Sequence, residues 1–472
     1  MSSSTASTSS SALPRPSSIR HELRALAGLS APISLAQVLL ILIHLVDTSV
    51  LGRVSVEDLA GASIGRSLGF AAGCIGMGIA MALEPLASQA LGAKEPERAW
   101  KAYRVNLRLG VLVWIPTVSA ALLATFLLPL LGLEPIIVER ARAYLLGQAP
   151  GMAATIAFLS TKTLLQAHGI TGPAFAGACL ANVSNVVFCN LLVRGDDALR
   201  SVNLPPLGLP RLGAFGAGLA STLAYLVLVS FVGGFALRQR RKTASQPAAR
   251  APGDPAATTV SMGTMVKLGT PIGLQLLAEI GVFTMASLLS ASFGAKVAAA
   301  HQIALALATF AFMGAIGISG ATAVRVGLAV GAGQSARRPG LTGILLGGTV
   351  MTVPAIVFWS IPEHLASIFT SDPEVIALGA RLLRIAAIFQ LFDGVQGVAA
   401  GALRGAGDVR VPFVVMLIAH WCVGLPTALL FGFVLGAQAR GIWWGLTAGL
   451  IAVSLALVWR FLRISRGTIA RV

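Results

Sequence analysis

Four acidic residues lie inside long apolar stretches of this 472-residue sequence: Asp47, Glu84, Glu279 and Asp393. The first is in HLVDTSVLGR, the second in MALEPLASQALGAK, the third in PIGLQLLAEIGVF and the fourth in FQLFDGVQGVAAGALRG. A carboxylate in an apolar setting holds a proton more tightly than one in water, and with carbonyl and hydroxyl oxygens it can also coordinate Na⁺. Either reaction would couple an ion gradient to a movement of the protein.

The composition indicates where these acids lie. Hydrophobic residues make up 56% of the chain and charged residues 11%, whereas about 25% of a soluble protein is charged. A formal net charge of +17 would suggest nucleic acid as a partner of a polar protein. The mean hydropathy of +0.82 excludes both a soluble enzyme and a nucleic-acid partner. The sequence therefore predicts a protein that crosses a membrane many times, with the lipid bilayer as its surroundings.

Twelve apolar windows are long enough for membrane helices. We predict an all-α integral membrane protein whose twelve helices form two six-helix lobes. The windows fall near 28–51, 57–90, 103–132, 143–167, 171–193, 212–237, 264–292, 297–331, 340–368, 376–402, 409–435 and 440–464.

The domain boundaries follow the Ser-rich, Pro-rich and charged segments. The interruption RQRRKTASQPAARAPGDPAATTVS cannot build a packed core, so we predict a cytoplasmic linker over 238–262. It would join an N-lobe over 27–237 to a C-lobe over 263–465. Residues 1–26 are expected to form a disordered cytoplasmic tail, and residues 466–472 a second cytoplasmic tail.

Basic residues set the expected orientation. With the N-terminus inside, the inner loops and tails hold 22 Lys and Arg and the outer loops hold eight, namely Arg53, Arg140, Arg142, Arg194, Arg200, Arg211, Lys296 and Arg440. Because loops rich in Lys and Arg remain in the cytoplasm, both termini are expected there. The expected location is the plasma membrane, which in a bacterium is the inner membrane.

The two halves also repeat one another. An offset of 239 residues aligns Pro32 with Pro271, Gly92 with Gly331, and Pro173 with Pro412. An even number of spans in each half makes the repeats parallel, related by a pseudo-two-fold axis along the membrane normal, as in transporters whose substrate site lies between two lobes.

Each buried acid has a functional and a structural interpretation. A charge at the bilayer centre costs about 2.5–3.5 kcal/mol, so it usually faces a wet cavity or a partner. In the structural interpretation, Asp47 would bond to its neighbours at headgroup level, and Glu279 would form a hydrogen bond across the lobe interface. Asp393 would join two helices by a hydrogen bond, and Glu84 would extend toward a basic loop. A second group of polar and aromatic residues would either line a cavity or hold helices together: Glu84, Asn182, Asn185, Gln275, Phe283, His301 and Gln302.

Two motifs of nucleotide and zinc chemistry are absent from the sequence. It contains no GxxxxGK[ST] loop and no HExxH, which argues against direct use of ATP and against an enzyme. No cofactor is expected beyond a coupling ion.

The sequence resembles the multidrug and toxic compound extrusion (MATE) family over about residues 28–464. The resemblance rests on VDTSVLGR, LAGASIG, PLASQALGA, LLQAHGITGPAF and GAFGAGLAST in the first half. In the second half it rests on KLGTPIGLQLLAEIGVF, AAAHQIAL, ATAVRVG and FDGVQGVAAGALRGAGDVRVPF.

The resemblance implies antiport of bulky, mostly cationic organic compounds against Na⁺ or H⁺, by rocking of two lobes around a central cleft. The family's acid in the first span matches Asp47, and the further coupling acids of its NorM-type branch match Glu279 and Asp393. If the coupling ion is Na⁺, it would bind at Glu279 and Asp393 or near Asp47. The expected partners are small organic cations or drugs, and the expected state is a monomer. Two alternatives stay open: a flippase for a lipid-linked precursor with a related two-lobe fold, and a channel or sensor that does not transport.

Overall fold

The computed structural model describes residues 19–201, 203–244 and 260–472, and in these ranges it is built of helices without a strand. Twelve long helices follow the chain. In the first half they are α1 (Ile19–Leu51), α2 (Val56–Gly92, interrupted at Ala82), α3 (Pro96–Ala124), α4 (Pro135–Ala167), α5 (Gly172–Arg194) and α6 (Gly213–Ala244). In the second half they are α7 (Met262–Ala291), α8 (Ala295–Gly331), α9 (Arg337–Ser360), α10 (Pro373–Gly405), α11 (Arg410–Val434) and α12 (Gln438–Ile464). Short helical turns cover Leu128–Leu131, Asp196–Arg200 and Pro362–Ser367.

Eleven of these helices are long and apolar enough to cross a membrane. The remaining one, α4, has 33 residues but carries Tyr144, Gln148 and Pro150 in its middle. It packs against α2 and α6 inside the first lobe, where Tyr144 is buried. The predicted all-α membrane fold is confirmed.

The helix ends differ from the predicted domain boundaries in two places. Helix α1 begins at Ile19, within the segment assigned to the N-terminal tail, and α6 continues to Ala244, within the segment assigned to the linker. The rest of the predicted tail, 1–18, and the linker residues 245–259 lie outside the described residues.

Each lobe repeats the same packing order. In the N-lobe α1 packs on α5, α2 on α4, and α4 on α6; in the C-lobe α7 packs on α11, α8 on α10, and α10 on α12. Between the lobes α1 packs on α8 and α2 on α7. Because α7 is the repeat of α1 and α8 is the repeat of α2, these two interlobe contacts are related by the pseudo-two-fold axis.

Small residues make the interlobe contacts close. Gly78 of α2 meets the backbone of α7 at Gly273, and Gly317 of α8 meets the backbone of α1 at Ser34. The repeat relates the two contacts: Gly317 lies 239 residues after Gly78, and Ser34 lies 239 residues before Gly273. Both contacts are so close that a Cβ on either glycine would overlap the facing helix, as expected where small residues let helices approach.

Helix α11 is irregular on both sides of its proline. Wider π-helical turns cover Ala419–Gly424 and Leu430–Val434, with Pro426 between them. A proline removes one backbone hydrogen bond and displaces the preceding turn, which accounts for the irregularity at this position.

The start of α1, the end of α6, the start of α7 and residues 466–472 lie at one face of the bundle, which we call the terminal face; the other is the distal face. Residues 466–472 do not extend away from it. Arg98 of the N-lobe donates to the main-chain oxygen of Val472 at 3.0 Å, and the Val472 amide donates to Gln89 Oε1 at 2.9 Å. A segment that follows the C-lobe therefore lies against the N-lobe.

The lobes are joined from the middle of the bundle to the terminal face. Among the described residues, the interlobe hydrogen bond farthest from the terminal face is the 3.1 Å bond from the Ser34 hydroxyl to the Gly314 carbonyl, half-way along α1 and α8. Toward the terminal face follow Gln89 to Gly405, and an ion pair between Glu22 and Arg325 with bonds of 2.6 and 2.8 Å. Among the residues that the structure describes, no hydrogen bond or ion pair joins the distal halves of the lobes.

Candidate functional site

Asp47 forms a buried polar cluster inside the N-lobe. Its side chain has no exposed surface. Oδ1 accepts a 3.1 Å hydrogen bond from Asn185 Nδ2 of α5, and Oδ2 accepts a 2.5 Å bond from the Ser221 hydroxyl of α6. Three helices thus meet at one carboxylate, whose desolvation is offset by these donors. A headgroup-level position beside the aqueous phase does not fit this burial.

A cation lies next to this cluster. Arg66 of α2 donates to the Thr48 hydroxyl at 3.2 Å and to the His44 carbonyl at 3.5 Å, both on α1. Its positive charge is near enough to act on the Asp47 carboxylate. Proton or cation uptake at Asp47 would therefore change the local charge balance between α1 and α2.

The second acidic site belongs to the C-lobe and contains Asp393 and Glu279. Asp393 on α10 is buried and accepts a 3.2 Å bond from Gln396 Nε2, one turn further along. Glu279 on α7 is half-buried and near enough to interact with Asp393 and Gln396. The buried Gln396 Oε1 has no hydrogen-bond partner in the described part of the chain.

This arrangement suits a small cation or a shared proton. Two carboxylates from different helices and an unpartnered amide oxygen are the hard oxygen ligands that cations such as Na⁺ prefer. Two close carboxylates also favour uptake of a proton, because both cannot stay ionised cheaply. No group of three or more His, Cys, Asp or Glu residues with metal-binding geometry occurs in the described ranges.

The acidic sites of the two lobes are not copies of each other. The 239-residue offset places Ala286 opposite Asp47, and Leu40 and Ala154 opposite Glu279 and Asp393. Each lobe therefore offers an acidic group that the other lacks, although the helices that carry them repeat.

Glu84 lies between the lobes. Its Oε2 accepts a 2.5 Å bond from Arg404 Nε of α10, and the two side chains are 8% and 11% exposed. It does not join the two acidic sites, and its partner Arg404 is one of the 22 basic residues counted on the inner side. Arg404, its partner 320 positions away, could not be named from the sequence.

Two other candidates hold helices together. Asn182 of α5 donates to the Leu39 carbonyl of α1 at 2.8 Å. The buried His301 accepts a 3.1 Å bond at Nδ1 from Trp443 Nε1. Because the indole N–H can only donate, this ring carries its proton on Nε2, which lies 3.0 Å from the Ser287 hydroxyl. Both ring nitrogens are occupied, and the imidazole bridges α7, α8 and α12.

The remaining candidates lie in different surroundings. Phe283 packs edge to face on Phe389, with 6.2 Å between ring centroids. Gln275 is buried and Gln302 is exposed. Gln396 and Ser221 were not among the predicted site residues; the i+3 spacing of Gln396 from Asp393 was the available signal for the first, and nothing local signalled the second.

A family model, MatE, matches residues 32–191 and again residues 271–430. The chain belongs to the MatE family. The two matches begin 239 residues apart (271 − 32), which is the offset of the internal repeat, and the resemblance to this family is confirmed.

Relatives of this MatE protein cover nearly its whole length. A probable multidrug resistance protein NorM of Deinococcus radiodurans is 36% identical over 458 residues, which are 95% of this chain and 97% of the relative.

Two solved structures share the fold. The crystal structure of the eukaryotic MATE transporter AtDTX14 matches with a TM-score of 0.78 at 20% identity, over 95% of this chain and 98% of that one. A mutant of the Vibrio cholerae MATE transporter VcmN matches with a TM-score of 0.80 at 18% identity, over 95% and 98%.

Proposed function

We propose that this MatE protein is a secondary active multidrug efflux antiporter. It exports organic, mostly cationic compounds and takes up Na⁺ or H⁺ in exchange, by alternating access of a site between the lobes. The observation that carries this proposal is that Glu279 and Asp393, two carboxylates on different helices, lie near enough to interact, with Gln396 donating a hydrogen bond to Asp393. Relatives named multidrug resistance protein NorM support the class of cargo.

The acidic pair gives the exchange a physical basis. An ionised pair attracts an organic cation, and a bound proton or Na⁺ cancels that attraction. A coupling ion that binds the loaded site therefore lowers its affinity for the cargo, and the free energy of the ion gradient is spent on release. Asp47 is a second place where the coupling ion can bind, since its carboxylate already accepts bonds from Asn185 and Ser221.

The orientation of the lobes gives the direction. We assign the terminal face to the cytoplasm, because the loops and tails on that side hold 22 basic residues against eight opposite. The interlobe hydrogen bonds lie between the middle of the bundle, where Ser34 bonds to Gly314, and that face, where Val472 bonds to Gln89. The structure then represents the state that faces outward, in which cargo leaves and the coupling ion enters, in a bacterial inner membrane.

The transporter needs no ATP and works as a monomer in this proposal, because one chain supplies both lobes. A flippase for a lipid-linked pyrophosphate would require a basic central cavity, and the acids Asp47, Glu279 and Asp393 favour cationic cargo instead. A passive channel would not require two lobes fastened at one face.

Dye-cation transport by proteoliposomes tests the proposal. The protein is reconstituted, and an inward pH gradient or Na⁺ gradient is imposed, one at a time. We expect saturable movement of the dye against its own gradient under at least one of the two. Transport that follows the dye gradient alone would indicate a channel, and movement of a fluorescent lipid pyrophosphate instead of the dye would indicate a flippase.

A further inference from the structure

The proposed transport cycle leaves one intramembrane acid unexplained. Glu84 of α2 pairs with Arg404 of α10 across the lobe interface at 2.5 Å, and both side chains are nearly buried. Next to it, the Ser88 hydroxyl donates to the Glu84 carbonyl, not to its carboxylate. Arg404 is thus the ionic partner of this carboxylate in the structure.

Alternating access must break this ion pair. It lies in the half of the interface that is closed at the terminal face, and when the lobes part there, α10 carries Arg404 away from α2. Removing one partner of a buried ion pair is strongly unfavourable, because the other charge stays poorly solvated. Unless another cation replaces Arg404, the open state would be penalised.

The N-lobe contains such a cation. Lys162 of α4 lies within range of electrostatic interaction with both Glu84 and Arg404. Its ammonium donates a long, 3.4 Å bond to Gln37 of α1, and it lies 5.9 Å from the centre of the Phe158 ring. Neither is a charged partner. Because α4 and the second half of α2 pack within one lobe, Lys162 stays beside Glu84 when the lobes separate.

We propose that Lys162 is a positioning residue for alternating access, and that it replaces Arg404 as the partner of Glu84 when the lobes part at the terminal face. Glu84 then keeps a counter-ion in both states. We call this replacement of Arg404 by Lys162 the exchange; it leaves no buried carboxylate without a counter-ion. This proposal rests on the proposed function only in requiring that the lobes move.

The exchange predicts opposite effects for the two cations. Arg404→Met weakens the closed state, because Glu84 then has Lys162 as its partner in either state. Lys162→Met weakens the open state, because Glu84 loses Arg404 on opening and finds no substitute. Each change is expected to shift the ratio of open to closed states by about tenfold or more, in opposite directions.

Thiol labelling measures that ratio without a transported substrate. The four native cysteines are replaced, and Ser30→Cys is introduced as a reporter, since this side chain is 6% exposed on α1 beside α8 of the other lobe. The labelling rate by a membrane-impermeant reagent applied at the terminal face reports how often the lobes part. Substrate counterflow in proteoliposomes is measured in parallel.

We expect faster labelling for Arg404→Met, and slower labelling with slower counterflow for Lys162→Met. Lys162→Arg should restore both rates, because it keeps the cation. The double variant Glu84→Gln with Lys162→Met should also restore labelling, because no carboxylate remains to be left unpaired. Arg460→Met is the matched control, since Arg460 makes a 2.7 Å ion pair with Asp408 inside the C-lobe.

The outcomes separate this proposal from the proposed function. Wild-type labelling in Lys162→Met, or failure of the double variant to recover, would overturn the exchange even if coupled transport is intact. Conversely, the predicted pattern of labelling in a protein that transports no dye would support the exchange and overturn the proposed function. If Lys162→Met does not insert into the membrane, the variants Lys162→Arg, Arg404→Met and Arg404→Lys are compared instead. A labelling rate that is not raised by Arg404→Met contradicts the proposal.

Discussion

A single methyl group at Gly78 should open the terminal face. Gly78 of α2 meets α7 of the other lobe, and a Cβ there would lie 2.6 Å from Gly273 Cα. Carbon atoms in van der Waals contact are about 3.5–4.0 Å apart, so Gly78→Ala requires the helices to move apart by roughly 1 Å. Overpacking of this kind costs about 1–3 kcal/mol.

The cost applies to the closed state alone, because α2 and α7 separate at this level when the terminal face opens. A penalty of about 1–3 kcal/mol corresponds to a shift of roughly 5- to 150-fold toward the open state. The labelling rate of Ser30→Cys in the cysteine-free protein is the assay. Gly73→Ala on the same helix is the matched control, since its Cβ would meet Met152 at an ordinary 3.9 Å.

The pseudo-two-fold axis gives this prediction a second arm. Gly317 is the repeat of Gly78, and a Cβ on it would lie 2.6 Å from the Ser34 amide nitrogen of α1. Gly317→Ala should therefore open the terminal face to a similar extent, measured by spin-label distances between the lobes. Unchanged labelling in Gly78→Ala, or an equal effect of Gly73→Ala, would refute closure by this contact.

Three further changes test the contacts around the lobes. Ser221→Ala leaves the buried Asp47 with one donor fewer and should cost about 1–3 kcal/mol of stability, visible as a lower unfolding temperature in detergent; an unchanged temperature would contradict the hydrogen bond. Arg98→Ala should release residues 466–472 from the N-lobe and raise their amide hydrogen exchange, and equal exchange would show that this bond does not hold them. Backbone N–H donors keep the pKa of Asp196 below its usual range, so the ordering of its loop should be complete above about pH 4 and lost as the pH falls through that lowered pKa. Hydrogen exchange across that pH range measures it, and Asp196→Ala should remove the pH dependence.

Much of the fold follows from the sequence because membrane helices are encoded locally. An apolar stretch of sufficient length forms a helix in the bilayer whatever surrounds it. The repeat was readable for the same reason: α2 (Val56–Gly92) and α8 (Ala295–Gly331) have ends 239 residues apart, as the aligned Gly92 and Gly331 indicated. Helix ends were less accurate, since α1 already begins at Ile19 where polar residues dominate.

The candidate site was predictable in part. The high cost of a charge in an apolar segment singled out Asp47, Glu279 and Asp393 before their positions were known. Their partners were not predictable, because contacts such as Glu84 with Arg404 depend on how two lobes meet. His301 shows the converse, since its type suggested a cavity and its bonds to Trp443 and Ser287 occupy both ring nitrogens.

Transport by Asp393→Asn tests the assignment of the coupling site most directly. The variant is reconstituted in proteoliposomes, and dye-cation efflux is driven by an imposed pH or Na⁺ gradient, with counterflow under no gradient as the control for folding and binding. We predict that gradient-driven efflux is lost while counterflow of the dye persists, because the asparagine has no negative charge that a proton or Na⁺ could neutralise. Gradient-driven efflux at the wild-type rate would contradict the assignment of Asp393 as a coupling residue.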